Sequence, residues 1–367
     1  MNIFDAYPDW WQVGSAVAAG SLVLTWLTWK LTGTSGQGIR NRDVHTQPKS
    51  RFGGVAMWLA VIVSLLLLLG TQSERLQVGS ADMLTRLSVG LGLAMLVVLI
   101  TGLLDDIRGL KPSTQVAGQA LAGLCVALGG VQVPYLRLPF IGNLDLTVGG
   151  SMLPDALGGG VFWPLSVLLT VLWVVALINA LNLFDGLDGL AASVTVTAGI
   201  VLFLISLRLG FLGASTLSLV TAAAALGFLV LNWHPSKLFM GSVGSQLLGL
   251  LLATAALVSG AKLATAVLVL GIPVLDAVVV VIRRLRAGVS PFVGDQRHLH
   301  HRLLHLGMPV RMVVVSITAL SVLFGTAALL IEGSEAKALL TLALVASMLL
   351  VLLITILLER RVGRGVH

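Results

Sequence analysis

The chain has 367 residues, 57% hydrophobic and only 11% charged, with a formal net charge of +7. Soluble domains run about 45–50% apolar and about 25% charged, so this composition excludes a water-soluble globular fold. The single cysteine, Cys125, rules out an intramolecular disulfide and reads as a small hydrophobe within a membrane span.

Apolar runs of about 18–23 residues recur along the chain, each able to cross a bilayer core as a helix. In order they centre near Ala18, Val61, Ala94, Ala120, Thr170, Ala198, Ala222, Leu250, Val269, Ala319 and Ala346. The expected fold is an all-α polytopic membrane protein of about eleven transmembrane helices. Residues 1–367 form a single integral membrane unit with no soluble domain. The first run follows "MNIFDAYPDWW", which has no Lys or Arg, so it reads as a permanent span rather than a signal peptide.

With the N-terminus outside and the C-terminus cytoplasmic, most of the 23 Lys and Arg residues fall on the inner side. That is the positive-inside arrangement. The basic balance therefore reflects topology and anionic lipid, and points away from nucleic acid. Between the fourth and fifth spans, "RLPFIGNLDLTVGGSMLPDALGGG" has the alternation and turn residues of a small external β-hairpin. No internal repeat stands out, as an inverted-repeat transporter would show.

Most of the membrane-adjacent acids and all seven histidines gather on the inner side of this topology. Ionisable groups at membrane depth are costly and mark sites. The third span ends in "LITGLLDDIRG", with adjacent Asp105 and Asp106. Neighbouring carboxylates repel unless a cation sits nearby, and Mg²⁺ suits such hard oxygen ligands. A plain solvated helix end is the alternative, but it is the wrong dipole end for two acids.

"NALNLFDGLDGLAA" places Asn179, Asn182, Asp185 and Asp188 three residues apart. On an unbroken helix these drift around the axis. Gly186 and Gly189 permit a turn that gathers the acids towards one pocket. "QRHLHHRLLHLG" sets Arg297, His298, His300, His301 and Arg302 together. Neither a Cys pair nor an HExxH motif is present, as a zinc site would lead one to expect. Arginine forks beside imidazoles suit a diphosphate.

Taken with "RFGGVAM" and "FMGSVGSQLLG", these motifs resemble, in type and order, the polyprenyl-phosphate N-acetylhexosamine-1-phosphate transferases, glycosyltransferase family 4. The likeness runs from about His45 to Leu304, and the "HLHH" element resembles the branch that uses UDP-N-acetylglucosamine. The resemblance implies transfer of N-acetylglucosamine 1-phosphate from a UDP-sugar to undecaprenyl phosphate, with release of UMP. It implies Mg²⁺ or Mn²⁺ as cofactor and a multi-pass location in a bacterial inner membrane, with the site on the cytoplasmic face. The product would start a cell-envelope glycan such as lipopolysaccharide or teichoic acid, and a homodimer follows by analogy with a relative.

The resemblance further implies residue roles. Asp105 or Asp106 holds or deprotonates the lipid phosphate, with Asp185 also counted as catalytic. Asn182 and the residue at 242 bind metal. Asp185, Gly186, Leu187, Asp188, Asn232 and Phe239 seat the uridine nucleotide. His45, Arg51, Arg297, His298, His300, His301 and Arg302 hold the sugar-diphosphate end, and Asp276 matches an acidic position before the basic loop. Three positions depart from the family pattern: Ser242 replaces an aspartate, Gln115 a lysine and Ser50 a proline. A hydroxyl coordinates Mg²⁺ without adding charge, so a catalytically impaired homologue that still binds UDP-sugar or lipid carrier is the second expectation. A cation-coupled transporter is a third; it requires acids near mid-membrane, whereas these cluster at one face.

Overall fold

The computed structural model describes residues 9–32, 49–71, 81–138, 142–152, 161–259, 267–286, 288, 298–331 and 333–364. The helices are α1 (Trp10–Thr32), α2 (Gly53–Thr71), α3 (Ala81–Arg108), α4 (Pro112–Leu128), α5 (Pro164–Phe184) and α6 (Leu190–Arg208). They continue with α7 (Leu212–Asn232), α8 (Gly241–Val258), α9 (Gly271–Arg286), the short α10 (Leu299–His305), α11 (Val310–Leu330) and α12 (Ser334–Arg364). Pro112 and Pro164 stand in the first turns of α4 and α5, where a missing N–H costs nothing and the fixed φ favours helix.

Among the described residues, eight helices are long and apolar enough to cross a membrane: α2, α3, α5, α6, α7, α8, α11 and α12. The other three of the eleven runs read from sequence also carry helix, but of weaker spanning character. α1 has 23 residues yet mixes in Gln12, five Ser/Thr and Lys30. α4 has 17 residues, and the run near Val269 leads into the 16-residue α9, whose last turn holds Arg283, Arg284 and Arg286.

α8 stands at the centre. Every residue from Ser242 to Ala256 is buried, enclosed by α2, α3, α5, α6 and α7. Such depth needs small contact residues. A Cβ at Gly54 of α2 would lie 2.2 Å from the Gly244 backbone nitrogen, so the close approach of the two backbones at this point requires glycine. α1 lies along α7, fixed by a Ser21 hydroxyl donating to Ala224 O at 2.7 Å. Leucines of α2, α3 and α12 face outward in the manner of a lipid-facing surface.

Between α4 and α5 lie short strands. β1 (Tyr135–Leu138) pairs antiparallel with β2 (Gly142–Asp145), Tyr135 opposite Asp145. β3 (Ser151–Met152) pairs with β4 (Val161–Phe162). They follow the C-terminal end of α4 and precede the N-terminal end of α5. The acids of interest lie at the opposite end of both helices.

Candidate active site

That opposite end gathers the C-termini of α3, α5 and α7 and the N-termini of α4, α6 and α8. The α8 N-terminus carries unpaired N–H groups and a partial positive charge. Asp106, from the end of α3, answers both: its carboxylate accepts from Ser242 N at 3.0 and 2.9 Å and from Val243 N at 3.4 Å. Gly241 makes this approach feasible. Its φ is +69°, and a Cβ there would sit 2.6 Å from Asp106 Oδ2 and 2.4 Å from Arg51 O.

Asp105 turns the other way. Its Oδ1 accepts from Leu110 N at 2.8 Å and Gln115 Nε2 at 2.7 Å, and its Oδ2 from the Ser242 hydroxyl at 2.5 Å. Both acids are buried, each 3% exposed. The two neighbouring carboxyls are separated in their partners: each has its own set of hydrogen-bond donors, and Asp106 also a helix terminus. Gln115, at the position where the resemblance leads one to expect lysine, is one of those donors.

The polar positions of α5 do not all converge on one pocket. Asn179 bonds Gln119 of α4 and donates to Val175 O at 2.8 Å. One turn on, Asn182 Oδ1 accepts from the Ser245 hydroxyl of α8 at 2.9 Å. Ser245 lies one turn from Ser242, so Asp105, Ser242, Ser245 and Asn182 form one oxygen-rich cluster. Asp185 caps α5, its N–H reaching Leu181 O at 3.0 Å.

Asp188 is directed to the loop after α7. Its Oδ1 accepts from the Ser236 hydroxyl at 2.6 Å, and its Oδ2 from His234 Nδ1 at 2.8 Å and Ser236 N at 3.1 Å. Asn232 completes the tie by accepting from Gly189 N at 2.9 Å and donating to Leu238 O at 3.1 Å. Phe239, partly exposed, continues that loop. Its N–H donates to Ser50 O at 2.8 Å, and Lys49 Nζ lies 5.2 Å from its ring. Leu187 is buried, 4% exposed.

The histidine element is anchored by Asp276 of α9. Its Oδ2 takes a bond from His298 Nδ1 at 2.7 Å and its Oδ1 one from Leu299 N at 2.9 Å. With Nδ1 engaged by Asp276, His298 Nε2 has no hydrogen-bond partner among the described residues. The His298 and His300 rings stack with centroids 5.6 Å apart, and His301 lies 4.3 Å from His300. His300 is fully buried against the edge of Phe184, with neither ring nitrogen bonded among the described residues. Burial, then the proximity of His301 and His298, hold its pKa well below the ordinary imidazole value. Its Nε2 lies 2.6 Å from where a Cβ on Gly186 would stand, so this histidine closes directly over the 185–189 turn. Arg302 and Arg51 are largely buried, 8% and 9% exposed. His45 and Arg297 lie outside the described residues.

Among the described residues no three His, Cys, Asp or Glu gather as a metal site. The Asp105–Ser242–Ser245–Asn182 cluster instead offers one carboxylate, two hydroxyls and an amide oxygen. These are hard donors that fit Mg²⁺ and do not fit zinc. Sequence reasoning missed Gln115, His234, Ser236 and Ser245 as partners. Ser245 carried a local signal, standing three residues from Ser242 in the same glycine-flanked motif, and Gln115 had stood out only as a departure from the family pattern.

Residues 88–260 match the profile of glycosyl transferase family 4. The decaprenyl-phosphate N-acetylglucosaminephosphotransferase of Mycolicibacterium smegmatis is 35% identical over 306 residues, covering 76% of this chain and 70% of that protein. A Bacillus subtilis protein named "Probable undecaprenyl-phosphate N-acetylglucosaminyl 1-phosphate transferase" is 30% identical over 300 residues, covering 80% of this chain and 76% of its own. The phospho-N-acetylmuramoyl-pentapeptide-transferase of Pelotomaculum thermopropionicum is 34% identical over 266 residues, 69% of this chain and 78% of its own. On matched motifs, identity and coverage, this multi-pass membrane chain belongs to glycosyl transferase family 4.

Proposed function

We propose that the chain transfers N-acetylglucosamine 1-phosphate from UDP-N-acetylglucosamine to undecaprenyl phosphate, releasing UMP and starting a cell-envelope glycan. The observation that carries this reading is the oxygen cluster of Asp105, Ser242, Ser245 and Asn182 at the N-terminal end of a buried helix, with the 185–189 turn covered by His300 following Asn182 on the same chain segment. The relatives named for N-acetylglucosamine phosphotransfer to polyprenyl phosphates support the choice of sugar and acceptor.

In the transfer, a phosphate oxygen of the lipid attacks the sugar-bearing phosphorus of the diphosphate, and the bond to UMP breaks. The attacking oxygen is already anionic, so alignment and charge neutralisation carry most of the catalysis. Asp106 holds the α8 N-terminus in place by taking up its N–H groups and its partial positive charge. Asp105 is oriented by three donors and fixes the Ser242 hydroxyl. His298 presents Nε2 and His301 its ring to the sugar-diphosphate end, with Arg302 adding charge. The 185–189 turn and the 233–240 loop, tied together through Asp188 and Asn232, form the nucleotide wall, with Phe239 as a stacking surface. Mg²⁺ (or Mn²⁺) would be held by Asp105, Ser242 and Asn182, and would supply neutralisation of the diphosphate charge.

In this reading the site end faces the cytoplasm of a bacterial inner membrane, and the strands between α4 and α5 face outside. α1, α4 and the run through α9 complete eleven crossings, with the N-terminus outside. The test is metal-dependent UMP release by the purified full-length protein supplied with both substrates. Turnover is expected for the wild type and faster turnover for Ser242→Asp. No release from either would remove the proposal.

A further inference from the structure

The last turn of α1 and the loop after α7 carry cations that the transfer site does not use. Lys30 Nζ lies 4.9 Å from the Trp29 ring centroid and 5.8 Å from that of Trp26. Lys237 Nζ lies 4.6 Å from the same Trp29 ring. One indole thus holds two ammonium groups from distant parts of the chain. The ring quadrupole attracts each of them, while their mutual repulsion calls for a shared anion. Lys49, whose Nζ also donates to the Ser236 hydroxyl at 3.2 Å, adds a third cation nearby. Among the described residues no carboxylate pairs with any of the three.

The surroundings indicate which anion fits. Lys30 and Lys237 are exposed, and Trp26 and Trp233 are partly so. The patch therefore opens sideways from the bundle rather than into it. Above it on α1, Val23, Leu27 and Leu31 form an exposed apolar stripe at four-residue spacing, and on α7 Leu226 and Val230 do the same. Indoles beside lysines at a helix end mark the headgroup level of a bilayer, where the ring spans the apolar–polar boundary.

We propose that this patch seats the phosphate of an anionic phospholipid between Lys30 and Lys237 at the Trp29 ring, with its acyl chains along α1 and α7. The proposal goes beyond the transfer reaction and needs only that the chain sits in a bilayer. The bound lipid would clamp the end of α1 to the 233–240 loop. Ser236 of that loop holds Asp188, so lipid composition would reach the order of the site.

Full-length protein in nanodiscs of equimolar phosphatidylglycerol and phosphatidylcholine, released for native mass spectrometry, reads the retained lipid. Wild type is expected to retain phosphatidylglycerol preferentially, and Lys30→Gln/Lys237→Gln to lose that preference by about fivefold for each lysine removed. Lys30→Arg/Lys237→Arg should keep it, and Arg286→Gln, an exposed charge on another helix, should leave it unchanged. If the double glutamine variant does not fold in phosphatidylcholine, each single variant is read the same way. Equal preference in the wild type and the glutamine variants overturns the proposal. So does an unchanged preference accompanied by a raised KM for undecaprenyl phosphate, which would make the patch a port for the acceptor.

Discussion

Replacing Ser242 by aspartate sets a second carboxylate against Asp105, whose Oδ2 is 2.5 Å from the serine hydroxyl and whose side chain is buried. The hydrogen bond is lost and two anions face one another. At a separation of about 4 Å and an effective dielectric near 20, they repel by about 4 kcal/mol. The α8 N-terminus returns at most about 2 kcal/mol, which leaves a net cost of about 2 kcal/mol without a counter-ion. A divalent cation reverses the sign, because both carboxylates become ligands. Thermal unfolding of the purified variant should therefore fall by several degrees in EDTA and recover in excess Mg²⁺. Wild type, with a neutral residue at 242, should respond less. If Ser242→Asp is as stable as wild type in EDTA, or if Mg²⁺ shifts both equally, the cluster is not a cation site and the electrostatic argument fails.

Gly186→Ala places a methyl 2.6 Å from His300 Nε2. The buried histidine must shift, and turnover should drop by up to about 100-fold, as displacements near 1 Å cost elsewhere; Gly20→Ala, with nothing within 4 Å, should be neutral. Stability should also report on His300 through pH. Its folded pKa is depressed, so below the unfolded value of about 6.5 the unfolded chain takes up a proton that the folded chain refuses. The stability it contributes is complete above that pH and declines as pH falls towards the folded value. In melting curves His300→Phe should flatten this acid slope, and an unchanged slope would assign it to other groups.

The helices were legible because a span announces itself by composition over about 20 residues. What composition did not separate was degree. α4 and α9 are as apolar as neighbours in a short window, yet Gln115 and Gln119 in one and three terminal arginines in the other make them poorer spans. Within the site, Asp105, Asp106, Asn182 and the histidines stood out as polar groups where hydrocarbon was expected. Their partners did not. The bonds from Asp188 to His234 and from Asp276 to His298 bridge 46 and 22 residues, and local spacing carries no trace of them. The expectation of one pocket along Asn179–Asp188 met the same obstacle. The side chains of Asn179, Asn182 and Asp188 are each claimed by a different neighbouring helix or loop, and only the packed arrangement decides which.

α8 is the most enclosed of the eight spanning helices found among the described residues, and also the least apolar. A segment of that kind gains little from lipid and much from its neighbours. Its polar N-terminal turn meets Asp106, a residue 136 positions earlier in the chain. A chain cut before Gly241 therefore holds both aspartates of α3 but lacks the helix that orients them. The candidate site is thus complete only once α8 has joined α3, and on the proposed function binding of a nucleotide sugar would report that this step of assembly in the membrane has taken place.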